Sequence, residues 1–117
     1  MEYNGIVLPK GYQWIIDKKI VGFCEFTQLE PWYFLHEDDF FWANEKWENI
    51  TEHNLLVFAR RQDNDDLACF NVNNKGILEV YLIHGWVNNG FEIVEVYSNI
   101  WSWLHTVLND IEEWVNV

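Results

Sequence analysis

The end of the chain carries the pattern that most constrains the fold. From residue 100 onward the apolar side chains recur at the spacing of an α-helix, and Ser98 is a residue type that often caps a helix N-terminus. Placed at 100° per residue, the apolar set occupies one arc of about 160°, and polar residues fill the opposite arc. The pattern predicts a helix that packs one face on another layer. The apolar set is Ile100, Trp101, Trp103, Leu104, Val107, Leu108, Ile111, Trp114 and Val115.

The polar arc of this helix contains a local conflict. Asp110, Glu112 and Glu113 lie near its C-terminal end. The helix dipole disfavours anions there by about 0.3 to 1 kcal/mol each. These positions therefore indicate a role other than helix stability.

The middle of the chain predicts strands joined by turns. Residues 55–59 form a short apolar run, and the Asp- and Asn-rich stretch 62–66 is typical of a hairpin turn. Apolar and β-branched residues return after each later turn signal. The predicted strands are 55–59, 67–72, 77–83 and 92–97, separated by turns at 62–66 and 73–76 and a loop at 85–90.

The first half of the chain is less regular. A short helix is predicted from about Lys10 to Lys18, opened by Pro9. A short strand is predicted at 32–35, and 37–47 shows roughly helical spacing. Strands followed by a terminal helix predict an α+β fold. We expect a single domain over 1–117, with a meander-type antiparallel sheet of about four to six strands. The C-terminal amphipathic helix and one or two short helices should pack on that sheet.

The net charge of the chain limits the kinds of molecule that it can bind. The chain has 19 acidic and 7 basic residues, giving a formal net charge of −12. No Lys or Arg occurs between Lys19 and Lys46, or after Lys75. Such a surface is unsuited to a nucleic-acid backbone, which is bound through Lys and Arg. The acidic excess serves either solubility or the electrostatic steering of a basic partner.

The sequence contains few signs of catalytic chemistry. The sequence has no Gly-rich phosphate loop and no HExxH motif, so we predict no cofactor, no metal site and no catalytic residues. A dyad of Cys69 and His84 is conceivable, but nothing in the sequence orients it. Cys24 and Cys69 lie among aromatic residues, which favours buried thiols. With no signal-like N-terminus and no apolar run of about 20 residues, we expect a cytoplasmic protein without membrane contact.

Two features are candidates for partner contact. The turn residues Asp63, Asp65 and Asp66 form either a solvated hairpin tip or a negative lip beside Arg60 and Arg61. Among the tryptophans, those at 103 and 114 are predicted to be core. Those at 32 and 86 are the better candidates for partial exposure, as interface anchors, as a platform for a sugar, or as caps on the core.

Several segments together resemble a known family. They are LPKGY at 8–12, PWYFL at 31–35, the strand–acidic turn–strand of 55–70, IHGW at 83–86 and YSNIWSWL at 97–104. The chain is similar over nearly its whole length to the SUKH superfamily. These are small α+β domains found in bacteria beside polymorphic toxins and related to a fungal cell-wall-synthesis regulator. The resemblance implies a non-catalytic protein that binds and neutralises a toxin, often a nuclease.

The resemblance and the charge together predict an immunity protein that covers a basic toxin domain. The predicted contact residues are Glu37, Asp38, Asp39, Asp63, Asp65, Asp66 and Trp86. One alternative is an intracellular adaptor that binds host proteins, as the fungal relatives suggest. A third hypothesis is a small-ligand or carbohydrate binder that uses Trp32 or Trp86.

Overall fold

The computed structural model describes residues 2–3, 5–20, 30–47, 53–72, 78–87 and 90–116, and the side chains of Glu2, Trp86 and Val87 lie outside that description. The strands are β1 (Glu2–Tyr3), β2 (Ile6–Val7), β3 (Trp32–Phe34), β4 (Phe41–Trp42), β5 (Leu55–Arg61), β6 (Asp66–Asn71), β7 (Glu79–Val87) and β8 (Gly90–Tyr97). The α-helices are α1 (Lys10–Asp17), α2 (Ala43–Lys46) and α3 (Ile100–Asn116), and a 3-10 helix spans Glu37–Asp39.

An antiparallel sheet forms the centre of the molecule. Its strand order is β3-β5-β6-β7-β8, and β4 pairs with β5 as a sixth strand. The strands from β5 to β8 follow one another as a meander, while β1 and β2 form a separate small pair. The predicted α+β fold, with an antiparallel sheet, a C-terminal helix and a few short helices, is confirmed.

The two faces of the sheet carry separate cores. On one face, α1 and α3 pack against inward residues of the central strands, including Phe58 and Phe70, whose rings stack 4.0 Å apart. Trp103 of α3 inserts edge-on between this stack and β3, with ring centroids 5.1 Å from Phe58 and 5.3 Å from Trp32. On the other face, the residues around α2 cover Val57, Cys69 and Ile83 among others.

Helix α1 begins at the predicted residue and ends close to the predicted one. The carbonyl of Pro9 accepts the N–H groups of residues 12 and 13, both at 3.0 Å. At the other end, Lys19 has φ of 60°. The N–H of Lys19 donates to Ile16 and that of Ile20 to Ile15, which is the Schellman arrangement. The helix therefore stops at Asp17, one residue before the predicted end.

Several sequence predictions need correction. The cap of α3 is Asn99, whose Oδ1 accepts the N–H of Ser102 at 2.9 Å, so Ser98 lies one residue outside. The stretch 37–47 divides into the 3-10 helix, β4 and the four-residue α2, because pairing of β4 with β5 outweighs its helical spacing. The loop placed at 85–90 is also wrong, since β7 extends to Val87 and β8 begins at Gly90. The turn at 73–76 and Cys24 lie outside the described residues.

Trp32 and Trp114 differ in exposure from the predictions, although a place in the core was one alternative for Trp32. Trp32 is only 1% exposed, because α3 lies across β3 and sets Trp103 against it. Trp114 is 39% exposed. It occupies the last turn of α3 and its indole N–H donates to Glu30 at 3.2 Å. Trp103 is fully buried, as predicted.

Candidate functional site

The acidic turn between β5 and β6 lies beside the C-terminal half of α3. Arg61, the last residue of β5, contacts both Asp63 in the turn and Asp110 on the helix. We call this region the acidic end and define it by Asp63, Asp65, Asp66, Asp110 and Glu113. An open cavity of about 450 Å³ is lined by Arg61, Trp114 and three of these carboxylate residues.

Arg61 organises the centre of the acidic end. Its Nε donates to Asp63 Oδ1 at 2.6 Å and its second nitrogen to Oδ2 at 3.0 Å, which is a bidentate pair. Another guanidinium nitrogen lies 3.5 Å from Asp110 Oδ2. The hydrogen bond from Arg61 lowers the pKa of Asp63, and the same bond raises the pKa of Arg61. Asp63 therefore stays ionised and fixed toward the helix.

Asp110 also binds the core. Its Oδ2 accepts the indole N–H of Trp32 at 2.8 Å, and Trp32 is otherwise enclosed. A buried indole N–H without an acceptor would be costly, so the carboxylate satisfies a donor that the sheet cannot. This contact explains one of the three acidic residues that the dipole argument singled out. The unfavourable position of Asp110 near the helix C-terminus was visible in the sequence. Its hydrogen-bond partner, Trp32, is 78 residues away in the chain.

At the end of the turn where β6 begins, Asp66 contacts β7. Asp66 Oδ1 lies 2.7 Å from His84 Nδ1, and Asp66 and His84 are cross-strand partners. The hydrogen bond with Asp66 raises the pKa of His84, and the nearby charges of Glu92 and Asp65 act in the same direction. The turn backbone is fixed too, since Asn64 accepts the N–H of Asp66 at 2.8 Å.

Within the described part of the chain, Asp65 and Glu113 make no hydrogen bond or ion pair through their carboxylates. Both side chains are exposed. The acidic end thus presents five carboxylates around one guanidinium and one imidazole. Two of the five carboxylates are free to meet an external cation.

The seven predicted contact residues fall in two places. Asp63, Asp65 and Asp66 lie together, and the N–H of Gly85 donates to the carbonyl of Asp65 at 3.0 Å. The backbone of Trp86 is therefore beside the turn, while its side chain lies outside the described residues.

The other three, Glu37, Asp38 and Asp39, form the 3-10 helix between β3 and β4, at the sheet edge beyond β5. Asp38 is strongly exposed and lies 3.3 Å from His36 Nδ1. The acidic turn follows Arg61, which pairs with Trp32 at the start of β3, whereas the 3-10 helix follows the other end of β3 and leads into β4, which pairs with Val57. The structure therefore does not bring the two groups together.

The sequence suggested one conceivable catalytic pair, Cys69 and His84. Cys69 is buried in the core under α2, and burial raises the pKa of its thiol. His84 lies an odd number of residues beyond Tyr81, the cross-strand partner of Cys69, so the thiol and the imidazole face opposite sides of the sheet. The conceivable dyad is therefore wrong. Among the described residues, no three His, Cys, Asp or Glu side chains are arranged to hold a metal ion.

No described helix has both the length and the apolar character needed to cross a membrane. Comparison with protein-family models, curated proteins and solved structures produced no match.

Proposed function

We propose that this protein is an immunity-type binding protein that neutralises a partner polymorphic toxin, with a nuclease as the favoured class. The acidic end would cover the toxin's basic surface. The observation that carries the proposal is the excess of carboxylates at one end of the sheet: Arg61 and His84 hold three of the five, and Asp65 and Glu113 remain exposed. The resemblance to the SUKH superfamily points in the same direction.

Charge complementarity is the first step of the proposed mechanism. A nuclease must bind phosphates through Lys and Arg, so its active-site cleft is basic. The free carboxylates of Asp65 and Glu113 can meet those cations directly. The wider negative field of a chain with net charge −12 would speed the encounter at low ionic strength.

Preorganisation is the second step. The bidentate contact with Arg61 fixes Asp63, and the contacts with Asn64 and His84 fix the backbone and side chain of Asp66. Groups that are already ordered lose little conformational freedom on binding, so more of the interaction energy appears as affinity.

Trp114 supplies an apolar element beside these charges. It lines the same cavity and keeps 39% of its surface exposed, while its indole N–H is held by Glu30. Tryptophan is a frequent anchor in protein interfaces. A basic partner with an apolar side chain next to its cations fits this arrangement.

The test is capture from the source lysate at about 50 mM and about 500 mM salt, where screening differs strongly. The test variant is Asp65→Lys with Glu113→Lys, which reverses the two free carboxylates and breaks no described contact. The matched control is Asp17→Lys with Glu45→Lys, which makes the same charge change at two exposed carboxylates outside the acidic end. Captured proteins are identified by mass spectrometry.

We expect one basic toxin-like domain at low salt, reduced at high salt, lost with the test variant and kept with the control. Mixed with the purified chain, that domain should lose its activity. Equal loss with both variants would make the interaction diffuse and remove the acidic end as its site. Capture of housekeeping proteins would instead support the adaptor alternative.

A further inference from the structure

The outer flank of α3 carries an apolar stripe that the fold leaves exposed. Trp101, Leu108 and Val115 are spaced by seven residues and are 55%, 60% and 71% exposed. Leu104 and Ile111, half-buried, lie between them. An alternation of three and four residues over two heptads is the pattern of a coiled-coil seam. We call these five residues the outer seam.

The outer seam adjoins the core-facing side of the same helix: Leu104 and Ile111 pack against the core, while Trp101, Leu108 and Val115 are exposed. Measured from Ile100 at 100° per residue, the outer seam spans about 20° to 100°. The buried residues Ile100, Trp103 and Val107 lie between about 300° and 0°. Asp110 lies still further round, at about 280°. The apolar arc is thus wider than the sheet can cover, and the outer seam faces away from the acidic end.

The N-terminal end of the outer seam is held in place by α1. A Cβ on Gly11 would lie 2.8 Å from Ile100 Cγ2 and 3.2 Å from the ring of Trp101, so the two helices approach closely there. The indole of Trp101 therefore rests on the α1 backbone while half of its surface stays exposed. An exposed tryptophan that is already ordered is suited to an interface, because little freedom is lost on binding.

The two ends of the outer seam differ in charge. Lys10 lines the same shallow cavity as Trp101, and residues 100–109 contain no carboxylate. At the other end, Glu112 lies one turn from Val115. The helix dipole adds partial positive charge at the first end and partial negative charge at the second. A complementary partner helix therefore carries a similar apolar seam with its positive and negative ends exchanged. A second copy of α3 that runs in the opposite direction has this arrangement.

We propose that the occupant is a second copy of this chain, docked through antiparallel pairing of the two α3 helices. The two-fold axis passes near the middle residue of the seam, so Leu108 meets Leu108 of the second copy. Trp101 then faces Val115 of the second copy, and Lys10 comes to the end that carries Glu112. A helix of 17 residues is about 25 Å long, so the contact is small and we expect a micromolar dissociation constant.

Sedimentation equilibrium from about 1 µM to about 1 mM tests the association across that range. The mass should rise from 14.1 kDa toward twice that value. Leu108→Glu should weaken the dimer by at least tenfold (about 1.4 kcal/mol). Val94→Glu is the matched control, since it places the same charge on an exposed valine of β8 and should leave the dimer unchanged. A chain that stays monomeric at every concentration, or a dimer indifferent to Leu108→Glu, overturns the proposal.

Cysteine cross-linking tests the direction of pairing. Under mild oxidation Leu108→Cys should form a covalent dimer by itself. Trp101→Cys should form one only when mixed with Val115→Cys. The unsubstituted chain, which keeps its two native cysteines, sets the background. Efficient cross-linking of Trp101→Cys alone would mean parallel pairing and contradict the model of the interface. The outer seam and the acidic end lie on opposite flanks of α3, so Leu108→Glu should leave toxin capture intact. Failure of the dimer proposal can therefore be distinguished from failure of the proposed function.

Discussion

Replacement of Asp110 by alanine tests the contact that joins α3 to the acidic end. The substitution removes the acceptor of the Trp32 indole N–H, which is 2.8 Å away and buried. Leaving a buried donor without a partner costs about 1 to 3 kcal/mol. Loss of the contact with Arg61 adds at most about 1 kcal/mol, because that guanidinium keeps Asp63 and lies near the surface.

Two smaller effects oppose this loss. Alanine is the better helix former, and removal of an anion from the C-terminal half of a helix is favourable, together by about 0.5 to 1 kcal/mol. We therefore expect Asp110→Ala to lower the free energy of unfolding by about 1 to 3 kcal/mol. Asp110→Asn keeps an oxygen acceptor for Trp32 and should lose less than about 1 kcal/mol.

Urea unfolding followed by tryptophan fluorescence measures these differences. Glu113→Ala is the matched control, since it lies on the same helix and lines the same cavity without a hydrogen bond among the described residues. It should change stability by no more than about 0.5 kcal/mol. If Asp110→Ala costs no more than Glu113→Ala, the hydrogen bond to Trp32 contributes nothing. If Asp110→Asn costs as much as Asp110→Ala, charge rather than the acceptor governs the site.

Two further predictions concern titratable groups. The pKa of His84 is raised by Asp66, so this pair contributes fully below the unfolded pKa of about 6.5 and its contribution is lost as pH rises through the folded pKa. The destabilisation caused by Asp66→Asn should therefore be larger at about pH 5.5 than at about pH 8.5 in urea unfolding, and equal values would refute the pair. Burial raises the pKa of Cys69, so in a Cys24→Ser chain its thiol should react with Ellman's reagent slowly when folded and rapidly in urea. Rapid labelling of the folded chain would contradict the burial.

The elements that sequence predicted well are those whose signals are local. The apolar repeat of α3 recurs over 17 residues, and the Asp- and Asn-rich turn at 62–66 stands between two apolar runs. Both signals need no knowledge of distant partners. The 37–47 stretch failed because its spacing resembles a helix, while its backbone pairs with β5, which follows later in the chain.

The partial exposure predicted for Trp32 and the burial predicted for Trp114 failed for a related reason. Trp32 follows a proline in an irregular stretch, and nothing nearby in sequence shows that Trp103 will pack against it. Trp114 shares the apolar arc of α3, but an arc gives only direction around the helix. It does not show where along its length the helix leaves the core. Burial of a side chain depends on both coordinates.

The carboxylates of the acidic end fall into two groups: those that contact other described residues and those that do not. Asp110 opposes the helix dipole, yet it satisfies Trp32 and approaches Arg61, so the packing of this chain accounts for its position. Asp63 and Asp66 are likewise held by Arg61 and His84. Asp65 and Glu113 make no hydrogen bond or ion pair through their carboxylates among the described residues, although the charge of Asp65 helps to raise the pKa of His84. The proposed cationic partner would contact these two carboxylates, and reversing their charge is the change that tests that proposal most directly.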